Sequence, residues 1–121
     1  MSFTSVHWVG MGAALFLAAC GSSAVTHGEV ADARAAISAA EASGAAQVPQ
    51  AALHIKMAED NMAQAETQMG EGESEAAREA LERASADANL ARSLTTEQQV
   101  RSEADAAARR VERLRSQTGT F

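Results

Sequence analysis

Few residues in this chain are equipped for chemistry: one cysteine, Cys20, three histidines, five methionines and a scatter of carboxylates. A lone thiol rules out an intramolecular disulfide. Cys20 follows Leu17-Ala18-Ala19 and precedes Gly21-Ser22-Ser23. A thiol is a nucleophile, and here it stands among small residues. Beyond Cys20 the histidines are His27 and His54, which lack the i, i+4 spacing of a helical metal pair and read as surface or cap residues. Met57, Met62 and Met69 raise soft-metal binding, but Met62 and Met69 fall on a helical stripe that predicts core packing. The carboxylates Glu59-Asp60 and Glu71, Glu73 and Glu75 sit in polar or turn-rich stretches with no apolar pocket to perturb them. Neither a Gly-x-Ser-x-Gly elbow nor a phosphate-cradling glycine loop is present. The expectation is a protein that is not an enzyme, with no catalytic residue, metal, cofactor or small-molecule substrate.

Composition narrows the classes further. The 121 residues suit one small domain. Hydrophobic residues reach 46% while aromatics make up 3%, and those are Phe3, Trp8, Phe16 and Phe121. The stretch between Cys20 and Phe121 therefore lacks the rings that line ligand pockets and stack on bases. A net charge of −6 disfavours nucleic acid as a partner. That charge is unevenly spread: acids dominate from Glu29 to Glu75, whereas Arg109, Arg110, Arg113 and Arg115 face only Glu112 near the end. Such arginines complement the macrodipole of a helix C-terminus. Alternatively they form a basic tip for an anionic partner, either lipid headgroups or a cell-wall polymer such as peptidoglycan.

Residues 8–19 form an uncharged, largely apolar run. As a helix it would measure about 18 Å, against the about 30 Å of a hydrocarbon core, so it has the length of a signal-peptide h-region. With Leu17-Ala18-Ala19-Cys20 at its end it resembles the bacterial lipobox. That resemblance implies a signal peptide over 1–19, signal-peptidase recognition through Leu17, Ala18 and Ala19, and acylation of Cys20 with two or three chains of the palmitate kind. Residues 20–27 would be the lipidated cysteine and a short tether. Met1 to His7 contain no Lys or Arg, which departs from the usual basic n-region. Gly21 is not the aspartate that commonly retains lipoproteins in the inner membrane. The expected address is the outer membrane, facing the periplasm, with stable anchoring.

About a quarter of the residues are alanine and Pro49 is the sole proline, which predicts an all-α fold with a thin core. Thr26-His27-Gly28-Glu29 fits a capping box opening a first helix over about 28–43, with a stripe of Val30, Ala33, Ile37 and Ala40. Gly44 stops it, and Pro49 suits the first turn of a second helix over about 49–69. Ile55, Met62 and Met69 recur every seven residues there, with Ala58 and Ala65 between them. Gly70-Glu71-Gly72 provides a turn. A third helix over about 73–116 carries Ala77, Leu81, Ala84, Ala88 and Ala91, then Val100, Ala104, Ala107, Val111 and Leu114 in a different register. A bend or change of face is expected at Thr95-Thr96. The architecture is an Ala-rich helical hairpin, or three-helix coiled-coil-like bundle, over 28–117, with a long C-terminal helix and a flexible 118–121. The second helix is only half as long as the third. The overhanging Val100 to Leu114 face therefore needs the first helix, a second chain or a periplasmic protein partner.

Ala31-Asp32-Ala33-Arg34-Ala35-Ala36-Ile37, the proline opening the next helix, Gly72-Glu73-Ser74-Glu75-Ala76-Ala77-Arg78 and Asp87-Ala88-Asn89-Leu90-Ala91 resemble bacterial lipoproteins of the "domain of unknown function 4398" family. The resemblance spans about Val25 to Val111. Some members precede an OmpA-like peptidoglycan-binding domain, which this chain is too short to include. The combined expectation is a lipid-anchored, non-enzymatic structural or protein-interaction module. The competing expectation is envelope binding through Arg109, Arg110, Arg113 and Arg115.

Overall fold

The computed structural model describes residues 23–119. It contains three α-helices: α1 (His27–Ala42), α2 (Pro49–Glu71) and α3 (Ser74–Thr118). A single 3-10 turn, Ala45–Gln47, lies between α1 and α2. The all-α bundle with a long C-terminal helix is thus the observed fold. The predicted signal peptide lies outside the described residues, as do residues 120 and 121 of the expected flexible tail. Thr118 itself is helical and Gly119 caps α3.

Each boundary has a local cause. The Thr26 hydroxyl accepts the Glu29 amide at 3.2 Å, and the Glu29 carboxylate accepts the Thr26 amide at 2.6 Å, completing the capping box of α1. Gly44 follows α1 in the left-handed region, with φ +87. That positive φ is what favours glycine there, since a β-carbon would meet only the movable end of the Gln47 side chain. Pro49 opens α2, where its missing N–H leaves no helical bond unmade. Gly72, with φ +79, turns the chain into α3 while its amide and that of Glu73 close on the carbonyls of Met69 and Gln68. Gly70 stays inside α2, so that helix runs two residues past the expected end.

The helices meet through alanine. Ala51, Ile55, Ala58, Met62 and Ala65 on α2 face Ala77, Ala80, Leu81, Ala84, Ala88 and Ala91 on α3, all buried. Ala33 and Ala40 of α1 are buried against both helices, with Val30 and Ile37 beside them. Methyl-sized contacts let the axes approach closely but bury little area each. Met69 departs from the predicted stripe, being 38% exposed. It lies beyond Ala65, in the last turn of α2 before Gly72.

α1 lies parallel to α3: its first residues sit beside Arg78, and Ala40 and Ala45 pack with Ala88 and Ala91. The bundle therefore ends where the α1–α2 connection ends, at Thr95. That residue is buried, and its hydroxyl donates to the Ala91 carbonyl at 2.8 Å. α3 runs on unbroken past Thr95-Thr96. From Thr96 onward it is exposed throughout, including Val100, Val111 and Leu114, so α1 does not cover the overhang. The two core clusters are assembled entirely between Val25 and Leu94, and that body is self-contained.

Leu81 packs with Ala33, Met62, Ala65, Ala80 and Ala84 and is 3% exposed, whereas Leu53 on α2 is 59% exposed. Leu81→Ala is expected to lower unfolding free energy by about 2–4 kcal/mol. Leu53→Ala should change it by less than about 0.5 kcal/mol. Urea denaturation followed by circular dichroism compares the two.

Candidate functional site

One end of the rod is organised by Arg78, on the second turn of α3. Its Nε donates to Glu29 Oε1 at 2.9 Å, Nη1 to Glu75 Oε1 at 3.0 Å and Nη2 to the Ser23 carbonyl at 3.0 Å. The guanidinium fork thereby joins the first described residue, the N-terminus of α1 and the start of α3. The Thr26 amide, then the Arg78 side chain, hold the Glu29 carboxyl down at about 2. Leu17, Ala18, Ala19 and Cys20 lie outside the described residues; the chain leads back towards them from this end, beside the Gly72 turn.

The other end is the α3 overhang, which extends about 35 Å from Thr96 to Thr118. Arg109, Arg110, Arg113 and Arg115 are all exposed on it. Arg115 lies 3.9 Å from Glu112; the other three have no ion-pair partner among the described residues. At 100° per residue, Val100, Ala104, Ala107, Val111 and Leu114 form a stripe rotated about 140° from the buried face of Ala77 to Thr95. Arg109, Arg110 and Arg113 take over the line of that buried face. The predicted change of face at Thr95-Thr96 is thus a change of side-chain pattern on a continuous helix.

Between the ends, α2 and α3 share a polar cluster that sequence reading does not find. His54 Nδ1 lies 2.9 Å from Asp87 Oδ1, and Asn61 Nδ2 donates to Asp87 Oδ2 at 3.2 Å. Arg83 Nε donates to Asn61 Oδ1 at 3.4 Å. His54 is consequently half-buried and bridged rather than a surface or cap residue, whereas His27 is exposed at the first turn of α1. The separation of 33 residues between His54 and Asp87 carries no local signal. Only the antiparallel pairing of α2 with α3 brings them together. The cluster fixes helix register in the same manner as Arg34, which reaches from α1 to Glu66 of α2 at 2.7 Å.

Among the described residues, no group of three or more His, Cys, Asp or Glu side chains is placed to hold a metal ion. Glu59, Asp60, Glu71, Glu73 and Glu75 are exposed; Asp60 pairs with Lys56, and Glu75 with Arg78. Met57 is also exposed, so the three methionines do not converge. No described helix is long and apolar enough to cross a membrane.

The lowered pKa of Glu29 sets a pH dependence. A carboxyl held at about 2 in the folded chain, against an ordinary value of 4.5, adds stability that is fully present above about 4.5. That contribution drains away as pH falls from 4.5 towards 2. Glu29→Gln is expected to lower the urea midpoint at pH 7, and the gap from the parent should close below pH 4.5 and vanish near pH 2. A gap that stays constant from pH 7 to pH 2 contradicts the assignment.

No curated protein and no solved structure matches the chain. A family model described as a domain of unknown function, DUF4398, matches residues 28–113, from the first turn of α1 to Arg113 on the overhang. The match takes in the capped first helix, the alanine seam and most of the free α3 end, more than half of the chain. By that match, the chain belongs to the DUF4398 family.

Proposed function

We propose that this protein is a lipid-anchored rod of the bacterial cell envelope, attached through Cys20 and acting as a non-enzymatic structural or protein-interaction module. The reading takes the outer membrane, facing the periplasm, as its address. The observation that carries it is the opposition of the two ends. Arg78 clamps Ser23 at the Gly72 end, and Gly21 and Ser22 are the only residues between Ser23 and Cys20. Three peptide steps reach no more than about 11 Å, so an anchor at Cys20 holds this end of the bundle close to the bilayer. The overhang then projects away from it. Arg113 lies about 50 Å along α3 from Arg78.

A second reading, envelope binding through Arg109, Arg110, Arg113 and Arg115, is favoured by the partnerless state of three of them among the described residues. Their distance from the tethered end directs that reading towards peptidoglycan or another facing surface rather than the leaflet that holds the anchor.

Intact mass of the protein from a bacterial membrane fraction tests the proposal. A chain beginning at Cys20 and carrying acyl mass is expected, with Cys20→Ala yielding an unacylated protein lost from that fraction. An unmodified chain that retains residues 1–19 in the soluble fraction overturns it. For the second reading, purified sacculi should sediment the chain from Gly21 to Phe121 at low salt, and joint replacement of the four arginines by glutamine should abolish this. Absence of cosedimentation at low salt rules it out.

A further inference from the structure

The overhang is a helix with two incompatible faces. On the line of the bundle's buried face it carries Gln98, Ser102, Arg109 and Arg113, so the bundle cannot continue along it. About 140° away it carries Val100, Ala104, Ala107, Val111 and Leu114 at alternating spacings of four and three, the seam of a two-stranded coiled coil. Val100, Val111 and Leu114 are 59%, 47% and 56% exposed, side by side on one stripe. The stripe stays off the bundle, and a second helix can lie on it without meeting α1 or α2.

Charge selects the occupant and its direction. The half of the overhang nearer the bundle holds Glu97, Glu103 and Asp105 against Arg101; the far half holds Arg109, Arg110, Arg113 and Arg115 against Glu112. One half is net negative and the other net positive, so two copies attract when they run antiparallel. Run parallel, Arg110 meets Arg115 of the second copy across the seam, and the same face continues into Glu75, Glu79 and Glu82 of both bodies. We infer that the overhang is the pairing surface for a second copy of this chain, bound antiparallel. Val100 lies opposite Val111 of the second copy, Ala104 opposite Ala107, and Leu114 opposite the stem of Glu97 at each end of the seam. In that register Glu103 stands beside Arg110 of the second copy on both sides of the two-fold axis, and Arg101 beside a neutral Ala108. The central alanines allow close approach of the two backbones, and the short apolar seam makes a modest, concentration-dependent pair. The inference rests on the reading of the free α3 end as an interaction surface, and it names the partner.

The soluble chain from Gly21 to Phe121 tests the pairing, since the body's core lies wholly between Val25 and Leu94. Sedimentation equilibrium up to about 500 μM is expected to show a monomer–dimer equilibrium. Glu103→Arg should weaken it at least about tenfold, and Glu103→Arg with Arg110→Glu should bring it back to within about threefold of the parent. Circular dichroism at low concentration keeps folding separate from association, because neither residue touches the bundle. A spin label at Ser93→Cys is expected to give a distance of about 35–40 Å within the pair, and one at Ala108→Cys less than about 20 Å. A monomer across the whole range overturns the inference, as does a short distance at residue 93, which marks parallel pairing. Acylation at Cys20 is read independently by mass, so an acylated protein whose soluble chain stays monomeric sinks the pairing and leaves the anchored rod standing.

Discussion

Everything in this protein depends on how closely two alanine faces bring α2 and α3 together. The seam is built from Ala51, Ala58 and Ala65 against Ala77, Ala84, Ala88 and Ala91, with Ile55, Met62 and Leu81 as the larger fillers. Among the described residues no large side chain is fully buried. A methyl group buries far less than the roughly 1.5–3 kcal/mol supplied by a leucine, so register is weakly specified by apolar volume alone. Polar clips supply what the seam lacks. Asp87 accepts from Asn61 and pairs with His54 across the seam, Arg34 ties α1 to α2, and Arg78 ties α1 to α3. All of them hold neighbouring helices at one axial offset, which a smooth alanine face would leave free to slide.

The same constraint explains why the rod has two regimes. A bundle of thin helices persists only while three of them run together, and that stops where the chain turns from α1 into α2. Thr95 marks the boundary: it is the last buried residue of α3, and its hydroxyl is satisfied within its own helix. Beyond it, helix propensity carries the chain, with alanine and arginine frequent and i, i+4 pairs such as Glu97–Arg101 adding a little. A helix standing alone is only marginally stable in water, so continuity with the bundle nucleates the overhang, and a companion on its apolar stripe would hold it.

Legibility in the sequence followed the range of each interaction. The Thr26–Glu29 capping box, Gly44, Pro49 and Gly72 act within four residues, and all four were readable with their roles. The a/d stripes of α2 and α3 were readable from periodicity, apart from Met69, which lies exposed in the last turn of α2. The change of face after Ala91 showed as a break in the seven-residue count, although the count did not distinguish a break in the helix from a continuous helix with a rotated stripe. The His54–Asp87–Asn61 cluster and the reach of Arg78 to Ser23 were invisible, because each needs the axial offset of helices far apart in sequence. Arg109, Arg110, Arg113 and Arg115 were legible as a basic tip, while their distance from Ser23 emerged only once α1 was known to lie parallel to α3.

That parallel placement decides the geometry the proposed anchored pair would have. Antiparallel pairing centred near Asp105 sets the two Ser23 ends about 80 Å apart, one at each end of a strut. Held in one leaflet, both anchors would lay the strut along the surface. From Ser23 to Thr95 the body carries seven more acids than bases, and an anionic bilayer repels it in that posture at low ionic strength. An upright posture removes the acidic body from the surface and leaves only the Gly72 end near the headgroups. In the proposed pair the overhang charges would favour antiparallel pairing, while the acidic body would oppose lying flat. For a protein anchored in one leaflet, an upright single rod and a flat antiparallel pair would therefore be competing postures, with the pair gaining at higher ionic strength, where repulsion from the surface is screened.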